Sequence, residues 1–476
     1  VLDDTGSPSP GRMITVVASD SPGDNHTTQT DAKGSFLVEH LEPGDYQVVA
    51  MQGMRAIAEA LEQKEVDIAG ITGGMKTATA KIVDGETTHV VLGTPPSQPI
   101  RVEGSVTLGG QAVTSGFVSF SANGRPIVDN LAITNLDKSG HFETVLDGAG
   151  RYRITVQRVG GSMLEQSTCE FVRDIPAEDQ VVVHLELPEG RISGQVLDAS
   201  GKPAGNVRLS VFAEGATSTD TMLGGSYVET LTGPEGKFDV RGLQAGSYYV
   251  SAGGAQPLGV GGRTLGGHAP GRVSSDTLVL KEGEWIDNLR LKLRDPGTLR
   301  ATLVDEAGAP VAGASIFVRD AKGRALEAFS LITSDDSGVC EYQGIAPGSY
   351  TVSARTADLA SQEIGPFAIE SGEATAVRLV LQPGTVLHLS FRDTDGQPSA
   401  ARIQVLGPEG QDMARLFGMQ DMQRLYSKDP YEESERLLGP LPPGPYRIQA
   451  VIQGESVEKS VRLRGEASKR LTLRAR

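Results

Sequence analysis

Roughly every hundred residues this chain carries a glycine corner with a tyrosine two positions later, and each tyrosine heads an alternating run. The five copies read LEPGDYQVVA from Leu41, GAGRYRITV from Gly148, LQAGSYYVSA from Leu243, IAPGSYTVSA from Ile345 and LPPGPYRIQA from Leu441. Alternation of apolar and polar residues has period two, which a helix cannot use and a half-buried strand requires. A tyrosine at such a corner buries its ring in the core while its hydroxyl bonds to backbone across the corner. Tyr46, Tyr152, Tyr248, Tyr350 and Tyr446 are therefore read as structural corner residues.

Two further signals keep step with the corner. Each repeat except the second begins on an Asp-x-x-Gly-x-Pro turn: DDTGSP from Asp3, DASGKP from Asp198, DEAGAP from Asp305 and DTDGQP from Asp393, whereas the second has LGGQAV. In these turns Asp bonds forward to the backbone, Gly supplies positive φ and Pro limits pairing. Alternating strands follow, as in NVRLSVF, where Val207, Leu209 and Val211 share a face. A closing hairpin with a Gly-Glu turn recurs as KIVDGETTHVVL, LVLKEGEWIDNLRLKL, FAIESGEATAVRLVL and VRLRGEASKRLTLRA, with AEDQVVVHLEL as the variant in the second repeat.

These signals divide the chain into five tandem all-β sandwiches at 1–94, 99–188, 189–294, 297–382 and 384–476. The linkers LPEGR, RDPGT and LQPGT are too short to flex freely, so an extended, stiff rod about 175–200 Å long is expected. Three inserts interrupt the pattern. Residues 54–66 have helical spacing, 253–272 form a Gly-rich loop, and 412–438 contain Leu416, Phe417, Met419, Met422 and Leu425 as a helix or packed loop. Long loops on such scaffolds are where binding often sits, although neutral surface insertions are the simpler account. Val1 aligns with Val196, so half of the first repeat's leading strand is missing. Either that strand continues upstream or another chain donates it.

Composition narrows the partners. The net charge of −16 repels phosphate backbones and anionic lipid, so nucleic acid is not expected as a partner. The basic stretch 455–476 alternates with Val461, Leu463, Leu471 and Leu473 and reads as a solvated strand face. No apolar run approaches a membrane span, and no targeting signal is visible in the segment. Cys169 and Cys340 lie in different repeats, which excludes a disulfide framework. Cys340 takes the place of Phe36, Phe142 and Phe238 and reads as a small buried hydrophobe.

The third repeat, GRISGQVLDASGKPAGNVRLSVF with GKFDVRGLQAGSYYVSA, resembles the carboxypeptidase regulatory-like repeat, a transthyretin-like β-sandwich. The fourth repeat is similar, and there is a more distant likeness to B-type repeats of bacterial surface adhesins. The resemblance implies spacer, adhesive or accessory modules of secreted and surface proteins of bacteria, and some related sandwiches bind carbohydrate. The adhesins' Lys–Asn isopeptide crosslink is not expected, because the first strands RISGQV, TLRATLV and TVLHLSF lack Lys. None of the seven histidines starts the His-x-x-Glu pair of a zinc carboxypeptidase.

Hydrolase, phosphate-loop and zinc-helix motifs are likewise missing, so no catalytic residue, metal site or cofactor is expected. Carbohydrate recognition needs flat aromatic rings, and the chain has one tryptophan. Trp285 follows the Gly-Glu turn in GEWIDNLRLKL; it is a candidate glycan contact, while packing under the Gly-rich loop is the favoured expectation. The reading is a non-catalytic structural or adhesive array making protein–protein contacts, with head-to-tail self-association as a route to fibres. The alternatives are a polysaccharide-binding protein using its insert loops and an accessory region of a larger secreted enzyme.

Overall fold

The first strand of each complete repeat runs through the middle of a sheet, and this placement organises the rest. A computed structural model describes residues 1–2, 7–18, 25–51, 76–93, 98–126, 131–159, 166–214, 227–254, 259–260, 263–264, 270–327, 330, 332–425 and 430–475. In the second repeat Pro99–Leu108 lies between His141–Asp147, antiparallel, and Gln180–Leu187, parallel. Gly190–Leu197 lies likewise between Lys237–Leu243 and Trp285–Lys292, and Gly297–Asp305 between Val339–Ile345 and Ala374–Pro383. Thr385–Arg392 does so between Glu435–Leu441 and Ser468–Arg474. An antiparallel sheet faces each of these; in the second repeat its order is Leu131–Asn135, Gly116–Ala122, Gly150–Val159, Gln166–Ile175. The chain is thus all-β, with a short helix at Met419–Leu425 inside the fifth repeat's insert.

Alternation decides what enters the core. Pro99–Leu108 buries Val102 and Val106 and turns Arg101 and Glu103 outward. Five separate clusters of buried apolar side chains result, one in each repeat. Cross-strand volumes are matched within them. Gly104 faces Phe142 and Gly194 faces Phe238, where a Cβ would come within 2.3 and 2.8 Å of the ring. In the fourth repeat the pair is Ala301 with Cys340, so a smaller partner accompanies the larger first-strand residue. Burial pushes the Cys340 thiol up to about 12, so it serves as packing volume rather than as a nucleophile.

Two compact units contain these sandwiches: Val1–Leu187 with Leu425–Tyr431, and Pro188–Arg424 with Glu432–Arg476. In the first, Val1 and Leu2 occupy the places of Val196 and Leu197. Val1 accepts from Ser9 N at 3.0 Å as Val196 accepts from Ala204 N at 2.9 Å, and Leu2 bridges Pro8 as Leu197 bridges Pro203. The flanking segments 36–41 and 87–92 hold no strand ladder, and Leu37 and Val91 on them are 64% and 67% exposed. The insert expected to be helical at 54–66 lies outside the described residues.

An amide without a ladder partner exchanges faster. Hydrogen exchange of the full chain should therefore show segments 36–41 and 87–92 losing protection well before their counterparts 237–243 and 285–292. Equal protection in the two sets would contradict the unladdered arrangement.

Candidate functional site

The corner tyrosines have one geometry. Tyr152 donates its hydroxyl proton to Gly148 O at 2.9 Å, Tyr248 to Gln244 O at 2.8 Å, Tyr350 to Ala346 O at 2.7 Å and Tyr446 to Pro442 O at 2.8 Å. In each case the acceptor is four residues upstream, so the bond closes the corner while the ring fills the core. Tyr46 is buried in the equivalent place. Ring burial and the hydroxyl bond together hold the corner closed in repeats two to five.

A second feature was not legible from alternation. The strands Arg208–Ala213 and Ser315–Asp320 are buried on both faces. Their inward residues fill their own sandwiches, and their outward residues are covered by the next repeat. In the joint between repeats three and four, Glu327 is held by Arg208 Nη1 at 3.1 Å, Arg272 Nη1 at 2.8 Å and the Tyr342 hydroxyl at 2.8 Å. Arg208 Nη2 also meets Glu229 at 2.8 Å. Beside them Phe212 stacks on Tyr249 with centroids 4.8 Å apart, and the Arg324 guanidinium lies 4.8 Å over the Tyr249 ring while bonding Ser275 O at 2.7 Å. Burial alone would raise the Glu327 carboxyl, but the charges of Arg208 and Arg272, with hydrogen bonds from Arg208 and Tyr342, outweigh it and hold it below the usual carboxylate range.

Between repeats four and five the insert expected at 412–438 is the docking element. Phe317 points out of its own sandwich and joins the fifth repeat's core cluster. Arg319 reaches Asp412 O at 2.7 Å; Arg355 reaches Leu416 O at 2.7 Å and pairs with Asp421, with its guanidinium 4.8 Å over the Phe317 ring. Backbone adds Ser330 N to Phe417 O at 2.8 Å. Residues 412–421 of the insert therefore form a joint with the fourth repeat.

Trp285 is 59% exposed on the outer face of the sheet Lys237–Leu243, Gly190–Leu197, Trp285–Lys292, and the part of the Gly-rich loop expected to cover it falls largely outside the described residues. Residues 255–258, 261–262 and 265–269 of the Gly-rich loop lie outside the described residues. The indole is fixed by Nε1–H donating to Glu189 O at 3.2 Å and by the Arg191 guanidinium 5.3 Å from its ring centre. Arg191 and Arg241 both grip Asp239, Nε of Arg191 at 2.7 Å and Nη2 of Arg241 at 2.9 Å, and Ser193 donates to Asp287 at 2.6 Å. The pairing raises the Arg191 guanidinium further.

Two outcomes follow from these contacts. Tyr152→Phe removes a buried hydrogen bond, so that sandwich should lose about 1 kcal/mol, read from exchange-detected denaturation of peptides within 98–187. Glu327 has a folded value below its unfolded one, so its contribution is complete above about pH 4.3 and is lost as pH falls through the lower folded value. Thermal unfolding of 188–476 in the full chain should weaken across that acid window. Glu327→Ala should cost about 3–5 kcal/mol at neutral pH by removing the carboxylate that Arg272 faces in the buried joint, while Arg208 keeps Glu229.

Residues 298–382, the fourth repeat, match the family model of the carboxypeptidase regulatory-like domain. No curated protein sequence matches the chain. Among solved structures, the Bacillus anthracis TIE protein aligns over 80% of this chain and 75% of its own at 14% identity, with a TM-score of 0.17. The minor pilin GBS52 of Streptococcus agalactiae aligns over 41% and 96% at 15% identity, with a TM-score of 0.19. The shaft pilin SpaA from Lactobacillus rhamnosus GG aligns over 41% and 98% at 13% identity, with a TM-score of 0.17. The chain thus carries a carboxypeptidase regulatory-like domain at 298–382 within an all-β array.

Proposed function

We propose that this chain is a non-catalytic structural array of a bacterial surface or secreted protein, serving as a stalk, spacer or fibre-forming subunit. One observation carries the reading: repeats three, four and five bury the outward faces of their strands against one another through paired arginines. A spacer must transmit position and force, and a joint whose rings and guanidinium groups are packed together and tied by charge-assisted hydrogen bonds has one defined geometry that bending would break. The surface setting is the one implied by the resemblance of the repeats.

The test is a distance measurement across the joints. Spin labels at Lys237→Cys and Ser456→Cys sit on exposed positions, while Cys169 and Cys340 are buried and stay unlabelled. The full chain should give a narrow distance distribution that broadens in Arg355→Ala and in Glu327→Ala. A broad distribution in the unsubstituted chain would overturn the spacer reading.

A further inference from the structure

We propose that the outer sheet face around Trp285 is a binding platform for a neutral polysaccharide. The proposal is independent of the spacer reading, since it needs only the third repeat's sheet. Cross-strand register places the outward residues in rows. Arg241, Arg191 and Trp285 lie side by side, and about 6.6 Å along the strands Asp239 pairs with Ser193, whose hydroxyl reaches Asp287 across a β-bulge in the register with the Trp285 strand. Among the described residues this face stays open, with Trp285 59% exposed.

Three properties select the ligand. The indole offers an apolar surface to the axial C–H groups of a pyranose, and it is held in place beforehand by Glu189 O and Arg191, so stacking costs little ordering of the ring. Beside it, two guanidinium groups and two carboxylates balance in charge. A balanced, already paired set exerts little pull on an ionic partner, yet guanidinium N–H and carboxylate oxygen are the donors and acceptors that vicinal hydroxyls use. Asp287, with its side chain 46% exposed, accepts from Ser193 and retains capacity for a ligand hydroxyl. The spacing of the two rows is on the order of one to two sugar rings, which fits a chain lying along the sheet rather than a single sugar in a pocket.

Trp285 is the single tryptophan, so intrinsic fluorescence of the full chain reports this face alone. The experiment titrates neutral hexasaccharides (cello-, manno-, laminari- and chito-oligomers) and follows the emission, with polygalacturonate as the anionic comparison. The expected result is a saturable shift with at least one neutral oligomer, about tenfold weaker in Asp287→Ala and unchanged in Val279→Ala, an exposed position on the opposite sheet. Trp285→Ala, followed by affinity electrophoresis in gels containing the polymer, should abolish retardation.

Absence of any shift up to about 10 mM oligomer would overturn the proposal. So would an undiminished response in Asp287→Ala, or a response to the anionic polymer alone. None of these results would alter the inter-repeat distances, so failure here is separable from failure of the spacer reading.

Discussion

A guanidinium group enters a protein interior only where carboxylates or carbonyls receive it, and in the second compact unit that constraint governs how one sandwich meets the next. Arg208 and Arg272 converge from the third repeat on Glu327 of the fourth; Arg319 and Arg355 of the fourth converge on backbone and Asp421 of the fifth. Aromatic rings lie against guanidinium groups at both joints, Tyr249 under Arg324 at one and Phe317 under Arg355 at the other, so apolar area and charge are buried together. Phe317 of the fourth repeat enters the fifth repeat's core, and the outward rows of Arg208–Ala213 and Ser315–Asp320 are no longer solvent faces.

Inside each sandwich a different rule operates. The central first strand has neighbours on both sides, and its residue opposite the aromatic position must be small. Gly104 and Gly194 make room for Phe142 and Phe238, and where the aromatic is replaced by Cys340 the opposing residue is Ala301. The fourth repeat reaches a filled core with a different division of the same space. Cys340 is thereby explained by volume, with no need for thiol chemistry.

Alternation, turn chemistry and the tyrosine corner made the sandwiches legible in the sequence because each is a local signal with a fixed geometric meaning. The joints were not legible, because alternation tells which residues share a face and not what covers it. Arg208, Ser210 and Phe212 read as an outward row, and so do Ser315, Phe317 and Arg319; each row is buried by another repeat. The available clue was a phenylalanine in an outward register beside an arginine, a combination costly to leave in water. Trp285 shows the reverse difficulty: an aromatic in an outward register reads alike whether covered or exposed, and here the residue is 59% exposed.

The matched joints also bear on how such an array can change over generations. Because the third repeat's outer row is complementary to Glu327 and the fourth's to the helical insert of the fifth, each module is adapted to one neighbour and one side. Duplicating, deleting or permuting a module here would juxtapose cations with surfaces that cannot answer them. Lengthening of this part of the molecule is therefore confined to its outer boundaries, and its internal order is frozen by chemistry rather than by connectivity.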